Sequence, residues 1–279
     1  MSNYLQKFQD AAKAALRYRA LRGYALDRPC DVYELISQKG PDLQFVDIPS
    51  LEGMYLDEGR VRRICVCGRR PAGRQRFTAG HELGHCILGH GTVIDAEGEL
   101  GEASLNTPEE QAADIFARYL LMPPRAVQRG FRCRGFDPTR PSPLDVYIVS
   151  AWLGVGYSTL VNHMALTLKV LEPSLRQSLL KTSVKQIKQL AASVTTTSDV
   201  WILDPLWEGC TVHTQIGDVI RGLSSHPNAG DILVKQGHDS WSCRSVGEGL
   251  FAVKSGSAVR VCVSRREYIG FYRYRYLPE

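Results

Sequence analysis

The chain has 279 residues, enough for two domains or for one with appendages, and its 44% apolar and 23% charged composition excludes a mainly disordered protein. A net charge of +5, from 34 basic and 29 acidic residues, is too mild for a tail-driven nucleic-acid binder. No run reaches the ~18 apolar residues of a membrane helix, and the first residues lack an apolar secretory core, so the expected location is cytoplasmic with no membrane partner.

Residues 4–21 have helical spacing, with Leu5, Phe8, Ala12, Ala15 and Leu16 on one stripe. Asp31 is a candidate N-cap for a short helix to about Gln38. Strands are predicted over 43–48 and 63–67. The eight cysteines are scattered and form no Cys-x-x-Cys pair, so they read as small apolar residues, with Cys65 and Cys67 on one strand face. Arg60, Arg62, Arg63, Arg69, Arg70, Arg74 and Arg76 crowd the approach to the next element, and read as a solvated or acid-paired face. A helix over 74–88 ends near Gly89, a polar loop over 90–106 carries Asp95, Glu97, Glu99 and Glu102, and a second helix over 108–122 is stopped by Pro123 and Pro124. This is an α+β unit, expected over 1–139.

A proline-rich stretch over 137–143 marks a boundary. Helices over 145–153 and 158–171, separated by Gly154, Val155 and Gly156, have helix-turn-helix-like spacing inside a helical segment over 140–194. Residues 140–198 carry six basic and two acidic residues, which makes this stretch the expected place for an acidic partner or a weak DNA contact. The second helix, however, is mostly apolar and lacks Arg and Lys, which suits packing better than base recognition. From 199 to 279 short strands alternate with Gly, Pro and Asn turns, and an all-β domain is expected. Its end alternates Tyr272, Tyr274 and Tyr276 with Arg273 and Arg275, as a final strand with one aromatic face would.

The chemistry lies in the helix over 74–88. His81 and His85 are four residues apart, so one helix face presents both imidazoles to one metal ion, and Glu82 sits beside them, placed to hold a water. A catalytic zinc wants a third protein ligand and one open position. His90 is one residue out of register for the His-x-x-Gly-x-x-His spacing of other zinc peptidases and is rejected. On the second helix, Glu110 is the candidate third ligand, and Asp114 the candidate partner of an outer histidine nitrogen. Thr107 and Glu110 also have the spacing of a capping box, which would turn Glu110 away and leave Glu109 or Asp114 as ligand. Tyr119, Tyr147, Tyr157 and His163 are candidates for stabilising developing charge on the substrate, and the 63–67 strand is a candidate edge for pairing with a substrate strand.

Arg74, Arg76, Phe77, Thr78, His81, Glu82 and His85, followed by Glu110, Phe116, Ala117, Leu120, Leu121, Met122 and Pro123, resemble the ImmA/IrrE metallopeptidases, whose patterns are close to RxRFTxAHExxH and ExxANxFAxxLLMP. This sequence has Gly80 where the family has Ala, and Asp114 where it often has Asn. The resemblance covers about 30–170. It implies a zincin-like fold with Zn2+ held by His81, His85 and Glu110 and with Glu82 as catalytic base. The implied substrate is a helix-turn-helix repressor of the XRE type, whose cleavage turns on stress-response or mobile-element genes. The rival reading is a weakly catalytic or non-catalytic DNA- or protein-binding regulator, as in toxin–antitoxin or phage-defence systems. The C-terminal part is weakly similar to chagasin-type Ig-like domains through Gly217 and Asp218, the 226–230 turn, Gly247 and Gly249, and Arg265 and Arg266. Asp231 and Leu233 stand at that family's aromatic positions, so the similarity implies architecture alone, with a GAF-like domain as the alternative.

Overall fold

The computed structural model describes residues 2–38, 40–96, 107–192, 198–224, 232–254 and 256–278. The chain folds as two compact units. The first holds 1–129, 153–156 and 267–273, and the second holds the remainder. The helical and β-rich stretches therefore share the second unit. Among the described residues no single helix is long and apolar enough to cross a membrane.

The first unit opens with helix α1 (Ser2–Leu21). Its buried face is Ala11, Ala15, Tyr18 and Arg19, while Ala12 and Leu16 of the expected stripe are only half-buried. Arg19 is fully buried, and its guanidinium donates to the carbonyls of Leu120, Ala25 and Arg28 at 2.5–2.6 Å. Three acceptors and a helix C-terminus replace the water this cation loses. Helix α2 (Val32–Ser37) starts where Asp31 accepts the amides of Tyr33 and Glu34.

A mixed sheet follows: β1 (Asp42–Val46), β2 (Leu51–Asp57) and β3 (Arg62–Cys67). After helix α3 (Ala72–Leu88) comes β4 (Val93–Ala96), within the stretch expected to be loop. A two-residue strand, Gly270–Phe271, returns to pair antiparallel with β1, and the strand order is return strand, β1, β3, β2, β4. β3 is thus central, parallel to β1 and antiparallel to β2, and cannot accept a substrate strand; among the described residues the edges are the return strand and β4. The sequence hides β2 because Gly53 interrupts its apolar alternation, and β4 because it is four residues long.

Three of the seven arginines in this approach are paired with acids. Arg69 pairs with Asp47, and Arg70 and Arg74 both reach the fully buried Glu52 at 2.8–2.9 Å. Arg63 lies over the Phe271 ring. Helix α3 ends with Gly89 in the left-handed conformation at φ 75°, and α4 (Pro108–Leu121) ends before Pro123. α3 and α4 pack closely. A Cβ on Gly84 would lie 3.1 Å from Ala113 Cα and 3.2 Å from its carbonyl oxygen, whereas one on Gly80 would meet only side-chain carbons at 3.4–3.6 Å. The last helix begun in this unit is α5 (Pro124–Arg132).

In the second unit α6 (Pro143–Leu153) and the run Tyr157–Thr167 meet at 102°. That run is α7 (Tyr157–Asn162) followed by a π turn, His163–Thr167, shorter than the helix expected to 171. Tyr157, Leu160, Val161 and Met164 are buried, so this face is spent on packing. Helices α8 (Pro173–Lys181) and α9 (Val184–Ala192) complete the helical part. The strands are β5 (Val200–Ile202), β6 (Thr211–Gln215), β7 (Val219–Arg221), β8 (Leu233–Lys235), β9 (Ser240–Cys243), β10 (Gly247–Ala252) and β11 (Ala258–Ser264). They form two sheets, β10-β11-β6 and β5-β7-β9-β8, each with one parallel pair, β11 with β6 and β5 with β7. Residues 226–231 of the Ig-like similarity and the acids Glu97, Glu99 and Glu102 lie outside the described residues. The expected last strand is a correction: Tyr272–Tyr274 form a 3-10 turn, so the tyrosines do not share one strand face.

Asp218 is buried beneath the β5–β7 pair and accepts from the amides of Gln215 and Asp199 at 2.9 and 3.2 Å. Burial, and the nearby Asp199 charge, outweigh these bonds and push its carboxyl up to about 6. The unfolded chain therefore loses its proton at lower pH than the folded one, and this group's contribution to stability falls as pH rises from about 4 to 6. That fall should be absent in Asp218→Asn when urea midpoints of both proteins are compared across the window. The helix contact gives a second expectation. Gly80→Ala should raise unfolding free energy by about 1 kcal/mol, and Gly84→Ala should lower it by about 1–3 kcal/mol through overpacking against the α4 backbone. Thermal unfolding of the two variants checks the sign.

Candidate metal centre

His81 and His85 occupy one face of α3, one turn apart, both fully buried, with their Nε2 atoms 3.0 Å apart. α4 brings Glu110 across its first turn: Oε2 is 3.1 Å from His81 Nε2 and Oε1 is 3.5 Å from His85 Nε2. β4 contributes Asp95, with Oδ2 3.3 Å from His81 Nε2. One ligand atom from each of the four lies within 4.8 Å of every other, an arrangement able to hold a metal ion.

The capping alternative for Glu110 is resolved by its two ends. Its amide donates to Thr107 Oγ1 at 3.2 Å, so the threonine half of the box forms. Its carboxylate faces the imidazoles instead of turning back. Glu110 thus starts its helix with its backbone and leaves its charge in the cluster, where the α4 N-terminus favours an anion.

Burial opposes charge on His81, but Asp95 and Glu110 outweigh it and hold the imidazolium up to about 10. Burial likewise works against the Glu110 anion, yet the two histidines pull its carboxyl well below the usual range. A pocket that favours positive charge at these nitrogens suits a divalent cation, provided the imidazoles are deprotonated to bind it.

Glu82 is fully buried, and neither carboxylate oxygen has a hydrogen-bond partner among the described residues. Burial, together with Asp95 and Glu110, pushes its carboxyl well above the usual range against the pull of His81. The space it occupies is opened by β2: a Cβ on Gly53 would sit 2.2 Å from Glu82 Oε1 and 2.5 Å from Thr78 Cγ2. A lone glycine inside a strand is the one sequence signal that this position makes such a close approach. Asp95 has no comparable signal, since no spacing rule ties a short edge strand to the helix motif.

The outer histidine partner differs from expectation. Asp114 reaches neither imidazole and pairs with Arg118, one turn along the same helix, at 2.5 Å. His90, rejected as a ligand, lies outside the cluster with Nδ1 3.0 Å from His85 Nδ1, where one ring donates and the other accepts. It takes the orienting role reserved for Asp114. Tyr147 and Tyr157 donate their hydroxyls to the carbonyls of Val200 and Leu179 within the second unit.

Gly53→Ala should lower unfolding free energy by about 1–3 kcal/mol, because Glu82 and Thr78 must both shift, yet leave metal stoichiometry unchanged, since Gly53 meets none of the four donors. His85→Ala should lose the ion. Metal analysis after gel filtration, paired with thermal unfolding, separates the two outcomes.

No curated protein matches the chain significantly. The sequence model of the Peptidase M78 family, described as the IrrE N-terminal-like domain, matches residues 39–129, a span that includes α3, β4 and the cluster-bearing turn of α4. Over that span the chain is similar to the peptidase domain of that family.

Proposed function

We propose that the first unit is a zinc-dependent endopeptidase with a zincin-like fold, in which His81, His85 and Glu110 hold the ion and Glu82 is the catalytic base. The observation that carries this reading is Glu82, a fully buried, unpartnered carboxylate adjoining three metal donors. Such a group is costly in a purely structural site, and a structural zinc has no use for it. Zinc, when bound, polarises the scissile carbonyl and makes water more acidic. Glu82 accepts a proton from the attacking water and returns it to the leaving amine. His90 fixes the ring of His85, and Gly53 keeps the Glu82 carboxylate lodged against β2.

The free edge of β4 offers backbone groups for an extended segment of substrate to pair with. The substrate we favour is a cytoplasmic helix-turn-helix repressor of stress-response or mobile-element genes, a reading supported by the family resemblance. A DNA-binding regulator is less well supported, since the face of α7 is buried rather than basic.

Incubating the repressor encoded beside this gene with wild type and with Glu82→Gln tests the proposal. Cleavage should fall by about 10²–10⁴-fold in the variant while its zinc content stays at the wild-type level. Equal rates would sink the mechanism, and no cleavage by wild type or by Asp95→Asn would sink the substrate.

A further inference from the structure

The cluster contains one more donor than the proposed ligand set uses. The Asp95 side chain is 6% exposed, and its buried Oδ2 has no hydrogen-bond partner among the described residues although it lies 3.3 Å from His81 Nε2. A buried carboxylate oxygen without a donor is destabilising unless a cation faces it. The spacing supplies the geometry. Zinc bonds of about 2.0–2.1 Å in a tetrahedron place donor atoms roughly 3.3–3.4 Å apart. The separations are 3.0, 3.1, 3.3 and 3.5 Å, and one donor atom from each of the four residues lies within 4.8 Å of the others. A catalytic zinc site has three protein ligands and one open position, whereas a closed site has four.

We infer that Asp95 is a fourth protein ligand to the ion held by His81, His85 and Glu110, filling the position a catalytic water requires, so that the peptidase rests in a latent form. This rests on the metal reading above. Two carboxylates and two neutral imidazoles also balance the charge of a divalent ion, which suits a buried site. Opening is a ligand exchange, carboxylate out and water in, with no redox change. The element that must yield is slight: β4 is four residues long, among the described residues is paired only with β2, and its register breaks between Leu51 and Gly53, next to Asp95. Short edge elements open at low free energy.

The test uses the full-length, metal-free protein reloaded with Co(II), read by visible absorption during azide titration, and zinc affinity measured against a chromophoric chelator. Wild type should keep its cobalt bands on adding azide, because no position is open. Asp95→Asn should change its bands with azide and bind zinc about tenfold more weakly or worse, since losing even an outer-shell partner costs that much. Asp95→Ser repeats the comparison should the amide perturb folding, and the wild-type titration needs no variant. Azide-sensitive bands in wild type, or unchanged zinc affinity in both variants, overturn the inference. His85→Ala separates the two levels. If wild type takes up no ion, or His85→Ala takes it up equally, the metal reading itself fails; if His85→Ala loses the ion while Asp95→Asn behaves as wild type, only the role of Asp95 fails.

Discussion

Helices α3 and α4 lie so close at Gly84 that a single added carbon would press on the Ala113 backbone. Everything chemical in the first unit depends on that approach. The two histidines belong to α3 and Glu110 to α4, and a glutamate side chain spans only a few ångströms. At this approach the carboxylate comes within 3.5 Å of both imidazoles, and a larger residue at position 84 would press the helices apart. Small residues facing each other across the contact, Gly80 and Gly84 against Ala113 and Ala117, exchange side-chain volume for reach. The buried Arg19 donates to the Leu120 carbonyl in the last turn of α4, so α4 is also held at the end opposite the cluster.

The electrostatics of the cluster have a matching logic. Three carboxylates converge on two imidazoles in a site almost closed to water. Without a cation, protons must take its part, which is why His81 holds its proton tightly and Glu82 is driven toward its neutral form. Glu52, equally buried but matched by Arg70 and Arg74, shows the other solution to the same problem. One buried carboxylate is neutralised permanently by the protein; the others are left for something that can come and go.

What could be read from the sequence divides along the same line. The helix pair and the residues His81, His85 and Glu110, which the fold brings into one cluster, were legible because helical spacing fixes which side chains share a face. Asp31, Gly89 and Pro123 mark helix ends through local backbone chemistry, and they do so in the structure. β2, β4 and Asp95 were not legible, since strands of this length acquire their identity from their neighbours in the sheet. Asp114 shows the limit of the helical rule: its face was right, but Arg118 on the same face outcompetes a histidine on another helix. The Tyr-Arg alternation at 272–276 likewise has a strand's period, yet local turn geometry prevails.

The return strand has a consequence for the order of synthesis. Gln44 and Phe45 find their partners in Phe271 and Gly270, and Tyr268 and Tyr272 pack on Phe45 and Tyr33. The sheet that carries the peptidase motif is therefore incomplete while the ribosome is still translating the second unit. Until residue 271 emerges, β1 presents a bare strand edge, the kind of surface that recruits stray chains. Residues 267–273 belong to the first unit but are translated after most of the second, so a nascent chain cannot complete the first unit's sheet early.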